Sequence, residues 1–157
     1  MANLLIGWPN RIDEATVAGG SWQAAMPLAN VKNRVLGIRA RSTDDATSST
    51  KFTINLGRLR PIRGLALANH TLSSPAKVRV VATAGDPAGS PGATLYDSGW
   101  LPAWDYGLGA WNVANFEWAD ERFWAGGFLP EEIEGYRATW VHALQNAVMA
   151  QWWQVQM

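Results

Sequence analysis

Two kinds of side chain in this 157-residue chain could act on a substrate: a set of acids and a pair of histidines. Asp105, Glu117, Asp120 and Glu121 lie together in a stretch crowded with tryptophan. Two carboxylates roughly 5–10 Å apart, one of them with a raised pKa, could cleave a glycosidic bond. Acids in a polar loop are more often simply solvated, and nothing in the spacing promotes a pair here. His70 follows Asn69 at the end of an apolar run, where hydrogen bonding to the next turn is the expected role. His142 lies in an alternating, strand-like stretch far along the chain. Neither histidine has a nucleophile-elbow serine (Gly-x-Ser-x-Gly) to activate, and they are too far apart in sequence to argue for a metal. Gly85-Asp86-Pro87-Ala88-Gly89 lacks the lysine and following helix of a phosphate-cradling loop. With no cysteine, thiolate zinc sites, iron–sulfur clusters and cysteine nucleophiles are excluded. The expectation is a protein without catalytic residues, metal or cofactor.

Binding chemistry is better represented. Ten tryptophans stand against three tyrosines and four phenylalanines, so the indole excess calls for an explanation. Trp100, Trp104, Trp111, Trp118 and Trp124 fall between residues 100 and 128, with Tyr106 and four glycines, in a long irregular insertion. Loops of that length in a compact domain usually serve function or an interface. Trp104, Tyr106, Trp111, Trp118 and Trp124 are the candidate residues for protein docking or for stacking on sugar rings. Packing over the domain's own core is the third role these rings fit. Lys32, Arg34, Arg39 and Arg41 form a modest basic cluster that Asp44 and Asp45 would partly neutralise, as on a solvated surface.

Thirteen basic and thirteen acidic residues cancel, which argues against nucleic acid as a partner. A 48% hydrophobic and 17% charged composition argues for a packed core and for association. No apolar run is long enough to cross a membrane as a helix, so no membrane insertion is expected. The opening Met1-Ala2-Asn3-Leu4-Leu5-Ile6-Gly7 lacks the basic start of a secretory leader, which points to a chain made and kept in a cytoplasm or released by lysis.

The elements that must position these groups read as short strands. Residues 51–57 and 77–83 alternate, with Phe52, Ile54, Val78 and Val80 inward. Residues 60–68 supply Ile62, Leu65 and Leu67 to a further apolar side. Residues 85–92 form a turn rich in glycine and proline, and 95–100 a strand ending in a turn. Pro130-Glu131-Glu132 resembles a helix start, giving one short helix over 130–136, followed by a strand over about 137–144. Trp153, Val155 and Met157 share one face of a last strand. Such spacing predicts an all-β fold, a sandwich or barrel, in a single domain over residues 1–157.

Several motifs add a resemblance. Thr53-Ile54-Asn55-Leu56-Gly57 followed by Arg60-Pro61-Ile62, Tyr96-Asp97-Ser98-Gly99-Trp100, and Trp152-Trp153-Gln154-Val155-Gln156 resemble successive pieces of the discoidin-like, or galactose-binding-like, jelly-roll β-sandwich. Gln154 stands where that pattern has an arginine, and the pattern has one more closing strand after this point. Residues 6–13, Gly19-Gly20-Ser21-Trp22, Pro27-Leu28-Ala29-Asn30 and Ala40-Arg41-Ser42-Thr43 are similar to the N-terminal domain of tail-associated proteins of tailed bacteriophages and prophages. That resemblance implies a structural virion protein of a tail tip, baseplate or fibre attachment, assembled in the bacterial host cytoplasm. Its partners would be other phage tail, baseplate or fibre proteins and further copies of itself; for the closing strand, a short version of the fold, a continuation beyond Met157 and an edge supplied by a neighbouring subunit are all open. The alternative is a receptor-recognition module that stacks host surface glycan on the loop tryptophans.

Overall fold

A computed structural model describes residues 9–35, 37–73, 75–104, 118 and 139–157. The expected helix at 130–136 and most of the tryptophan-rich insertion lie outside these residues.

The described residues form an antiparallel sheet of six strands, confirming the all-β expectation. They are β1 (Thr16–Ala18), β2 (Phe52–Ala68), β3 (Lys77–Thr83), β4 (Thr94–Asp97), β5 (Leu101–Pro102) and β6 (Thr139–Gln156). Their order is β1-β2-β6-β3-β4, with β5 pairing β3. One short helix, α1 (Thr47–Thr50), precedes β2 and was not foreseen.

β2 and β6 are each longer than the sequence suggested. The alternating runs at 51–57 and 60–68 are one strand, and those at 137–144 and 151–157 are another. Two compensating irregularities join them. Between the pairs Asn55–Trp152 and Arg60–Ala150, β2 carries four residues against one on β6. Between Ile62–Val148 and Gly64–Ala143 the excess is reversed, four residues on β6 against one on β2. Bulges of this kind bend a strand and re-aim its side chains. At the first, Asn55 Oδ1 accepts from Gly57 N (2.8 Å) and from Gln151 Nε2 (3.1 Å). Gly57 adopts a φ of 73°, which a residue with a Cβ reaches only with strain.

The inward set agrees with the alternation. Phe52, Ile54 and Leu56 on β2, Val78, Val80 and Ala82 on β3, and Trp153 and Val155 on β6 are buried together. The N-terminal segment covers this face with Ala15, Leu28, Val31 and Trp22, whose ring meets Phe52 edge-on at 5.9 Å. Gly19-Gly20-Ser21-Trp22 serves this packing. Trp22 Nε1 donates to Gly19 O (2.7 Å), and Ser21 N donates to Ser49 O (2.9 Å).

The Asp97-Ser98-Gly99 motif is a structural knot. Asp97 accepts from Arg79 Nε (2.9 Å) and Gly99 N (2.9 Å). Ser98 bonds Val80 both ways, its Oγ accepting from Val80 N (2.8 Å) and its N donating to Val80 O (3.0 Å).

Residues 152–155 of β6 pair with β2 on one side and β3 on the other, so their backbone groups are engaged. Beyond Arg60 the β2–β6 pair runs on as a two-stranded ribbon, where no further strand pairs with it among the described residues.

Candidate functional site

The end of β2 supplies the first element of the site. Its apolar run stops at Ala68, and Asn69 turns the chain at a φ of 53°. Asparagine tolerates this left-handed conformation better than most residues, and non-glycine residues held there are a feature of functional sites. Asn69 Oδ1 accepts from Arg39 Nη2 at 3.3 Å, across thirty positions of sequence. Arg39 is held in turn by its own backbone, whose carbonyl accepts from Asn30 Nδ2 at 2.9 Å.

His70 comes next, directly after the turn. Both ring nitrogens are shut off from solvent, and neither makes a hydrogen bond of good geometry among the described residues, although the Ala103 backbone interacts with the ring. The ring stands edge-on to Trp104, with centroids 4.7 Å apart and planes at 70°. Burial pushes the imidazole pKa below its ordinary value, opposed in part by the Ala103 backbone. Trp104 is fixed by two bonds from Nε1, to Leu72 O (2.8 Å) and Ser73 O (3.1 Å). Arg39, Asn69, His70 and the half-exposed Trp100 line an open cleft of about 2390 Å³. Among the described residues seven basic side chains border that cleft (Arg11, Lys32, Arg34, Arg39, Arg41, Arg63 and Lys77) against Asp44 and Asp45. With Arg34 paired to Asp13 and Lys32 bonded to Ala15 O, the remaining basic side chains offer donors to an oxygen-rich ligand.

Of the five aromatic candidates, Trp104 belongs to this site as the support for His70. Trp118 is 76% exposed. Tyr106, Trp111 and Trp124 lie outside the described residues, as do Asp105, Glu117, Asp120 and Glu121. The basic cluster does not close on Asp44 and Asp45 as expected. Arg34 pairs with Asp13, and Lys32 Nζ donates to Ala15 O (2.7 Å). Asp44 Oδ1 accepts instead from Ala46 N (3.0 Å), just before α1. His142 sits on the ribbon, its Nε2 2.6 Å from Tyr96 Oη. Sequence reasoning missed Arg39, Asn69 and His70 as a group. The available signal was a polar Asn-His pair directly after Leu65-Ala66-Leu67-Ala68.

Comparison with known proteins places the fold. The chain superposes on the family 32 carbohydrate-binding module of C. perfringens NanJ in complex with galactose, with a TM-score of 0.56 and 10% identity over 93% of this chain and 83% of that one. It is similar also to CpGH89CBM32-4 of Clostridium perfringens in complex with GlcNAc-α-1,4-galactose, at a TM-score of 0.53, 14% identity and 98% and 81% coverage. A third likeness, to CpGH89CBM32-6 of the same organism, has a TM-score of 0.50 at 11% identity, covering 92% and 82%. No protein-family model and no curated relative matches. At these identities the likeness defines the class of fold, a discoidin-like β-sandwich. Nothing in the comparisons supports a phage tail.

Proposed function

We propose that this protein is a carbohydrate-binding module that takes a galactose-class sugar in the cleft at Arg39, Asn69 and His70. The observation that carries the reading is His70. The His70 ring nitrogens make no hydrogen bond of good geometry among the described residues, a cost that a sugar hydroxyl, which both donates and accepts, would relieve on entering. Arg39 and Asn69 add a charged donor and an amide at the same rim, and Trp100 adds an exposed ring for stacking. Two of the structural neighbours were determined with galactose or a galactose-containing disaccharide, which supports the choice of ligand class. The protein would act by binding alone, without turnover. Tryptophan fluorescence titrated with galactose and with galactose-terminated oligosaccharides tests it. Saturable quenching that Arg39→Ala weakens at least tenfold is the expected result. No response to any of these sugars would refute the reading.

One observation favours a second reading, docking within a phage tail alongside other tail proteins or further copies. Val141 and Met149 on the β2–β6 ribbon, and Leu59 in the bulge before it, are large apolar side chains exposed to solvent, of the kind that a neighbouring protein would cover. Sedimentation equilibrium decides part of it: self-association broken by Val141→Asp would support docking, and a strict monomer would oppose it.

A further inference from the structure

The second irregularity of the β2–β6 pair has a counterpart in space. Three of the four residues that β6 carries between Ala143 and Val148 (Leu144, Gln145 and Asn146) form one wall of a separate cavity of about 380 Å³. Its lining is Tyr96 from β4 together with His142, Ala143, Leu144, Gln145, Asn146 and Val148 from β6. The volume falls at the lower end of the roughly 300–1,000 Å³ typical of small-molecule sites.

The wall is pre-organised on one side. The Tyr96 hydroxyl and His142 Nε2 meet at 2.6 Å. Behind them, His142 stacks on Trp140 with centroids 5.6 Å apart and planes 16° apart, and Tyr96 leans on the buried Trp153 at 6.4 Å. Because Nε2 is engaged by Tyr96, Nδ1 is the ring atom left for a ligand, and it has no partner among the described residues. Gln145 and Asn146 are exposed, and neither side chain is tied by a hydrogen bond among the described residues. Each amide carries donors and an acceptor side by side, the complement of vicinal hydroxyl groups. Tyr96, Ala143 and Val148 supply apolar surface for a face of C–H groups.

Among the described residues the lining has no Asp, Glu, Lys or Arg. A phosphate, sulfate or uronate would find no counter-charge, and a purely apolar ligand would leave both amides unsatisfied. We propose that this cavity is a second binding site, distinct from the cleft at His70, for a single neutral sugar ring. It rests on the carbohydrate reading only for the class of ligand; its residues and geometry are its own.

Ligand-induced chemical shifts on the full chain, titrated with D-galactose, D-glucose and N-acetylglucosamine, test it. The readouts are the Gln145 and Asn146 side-chain amides and the His142 ring. At least one neutral sugar is expected to move them, and Gln145→Ala/Asn146→Ala should weaken that response more than tenfold. His70→Phe should leave it unchanged, and so should a change from low to high salt. Unmoved His142 and amide signals up to high millimolar sugar would overturn the proposal, as would a His142 response surviving the double substitution. Loss of the His142 and amide response in His70→Phe would overturn it too, by showing one site instead of two. Binding confined to the His70 cleft would sink this inference and spare the carbohydrate reading. Binding only at Gln145 and Asn146 would support it while removing the cleft.

Discussion

Replacing His70 by phenylalanine separates folding from binding. In the folded protein the ring nitrogens are out of contact with water and make no hydrogen bond of good geometry among the described residues. A buried polar group left unsatisfied costs about 1–3 kcal/mol. The residue as a whole is only half-buried, so the low end applies, roughly 1 kcal/mol. Phenylalanine keeps the edge-on contact with Trp104 and removes the unpaired nitrogens. His70→Phe should therefore be more stable by about 1 kcal/mol, a rise of roughly 2–4 °C in Tm for a domain of this size. It should also lose sugar binding in the cleft. The pH dependence gives an independent check. The folded imidazole has a lowered pKa, while the unfolded chain takes up a proton near the ordinary value of about 6.5. In the interval between the two the unfolded state holds more protons, so the wild type loses stability as pH falls through about 6.5. His70→Phe should lack that loss. Calorimetry across pH 5–8, with a sugar titration of both proteins, provides the assay. A variant that is less stable than wild type and still binds would show that His70 has a packing role only, and the reasoning would fail.

Three further outcomes are expected. Gly20→Ala should destabilise by about 2 kcal/mol or more in urea melts, because φ is 69° and the new Cβ would lie 2.5 Å from Ser49 O. Arg79, with help from the Gly99 amide, holds the Asp97 pKa at about 2, against about 3.9 unfolded. Stability from that pair is complete above pH 4 and fades as pH falls through 2. Asp97→Asn should remove roughly 1 kcal/mol of it at neutral pH after allowance for solvent screening, as acid titrations of both proteins would reveal. Asn55→Ala should cost about 1 kcal/mol by freeing the Gly57 amide and Gln151 at the first bulge, with hydrogen exchange speeding up there before elsewhere.

Local pattern conveyed much of the fold and little of the site. The alternation of Phe52, Ile54 and Leu56, of Val78 and Val80, and of Trp153, Val155 and Met157 correctly identified the faces that meet in the core. Period-two patterning reports which face is buried, and it stays legible in each half of a bent strand. The continuity of the halves was not legible. Gly57 looks like a strand end in sequence, whereas here it sits inside a bulge whose three-residue excess β6 reverses further along. The site was hidden for a different reason. Arg39 meets Asn69 only through tertiary structure, and the unsatisfied state of His70 is a property of its surroundings, not of its neighbours in sequence. Trp104 was singled out for its ring, yet here its indole N–H is tied to the Leu72 and Ser73 carbonyls while the ring packs against a histidine.

The most direct measurement is a 15N spectrum of the imidazole nitrogens, recorded with and without galactose. A sugar hydroxyl that completes His70 must move both of its nitrogen resonances at a concentration matching the fluorescence titration, and Arg39→Ala must raise that concentration. His70 resonances that stay fixed while the protein is saturated with sugar would contradict the account.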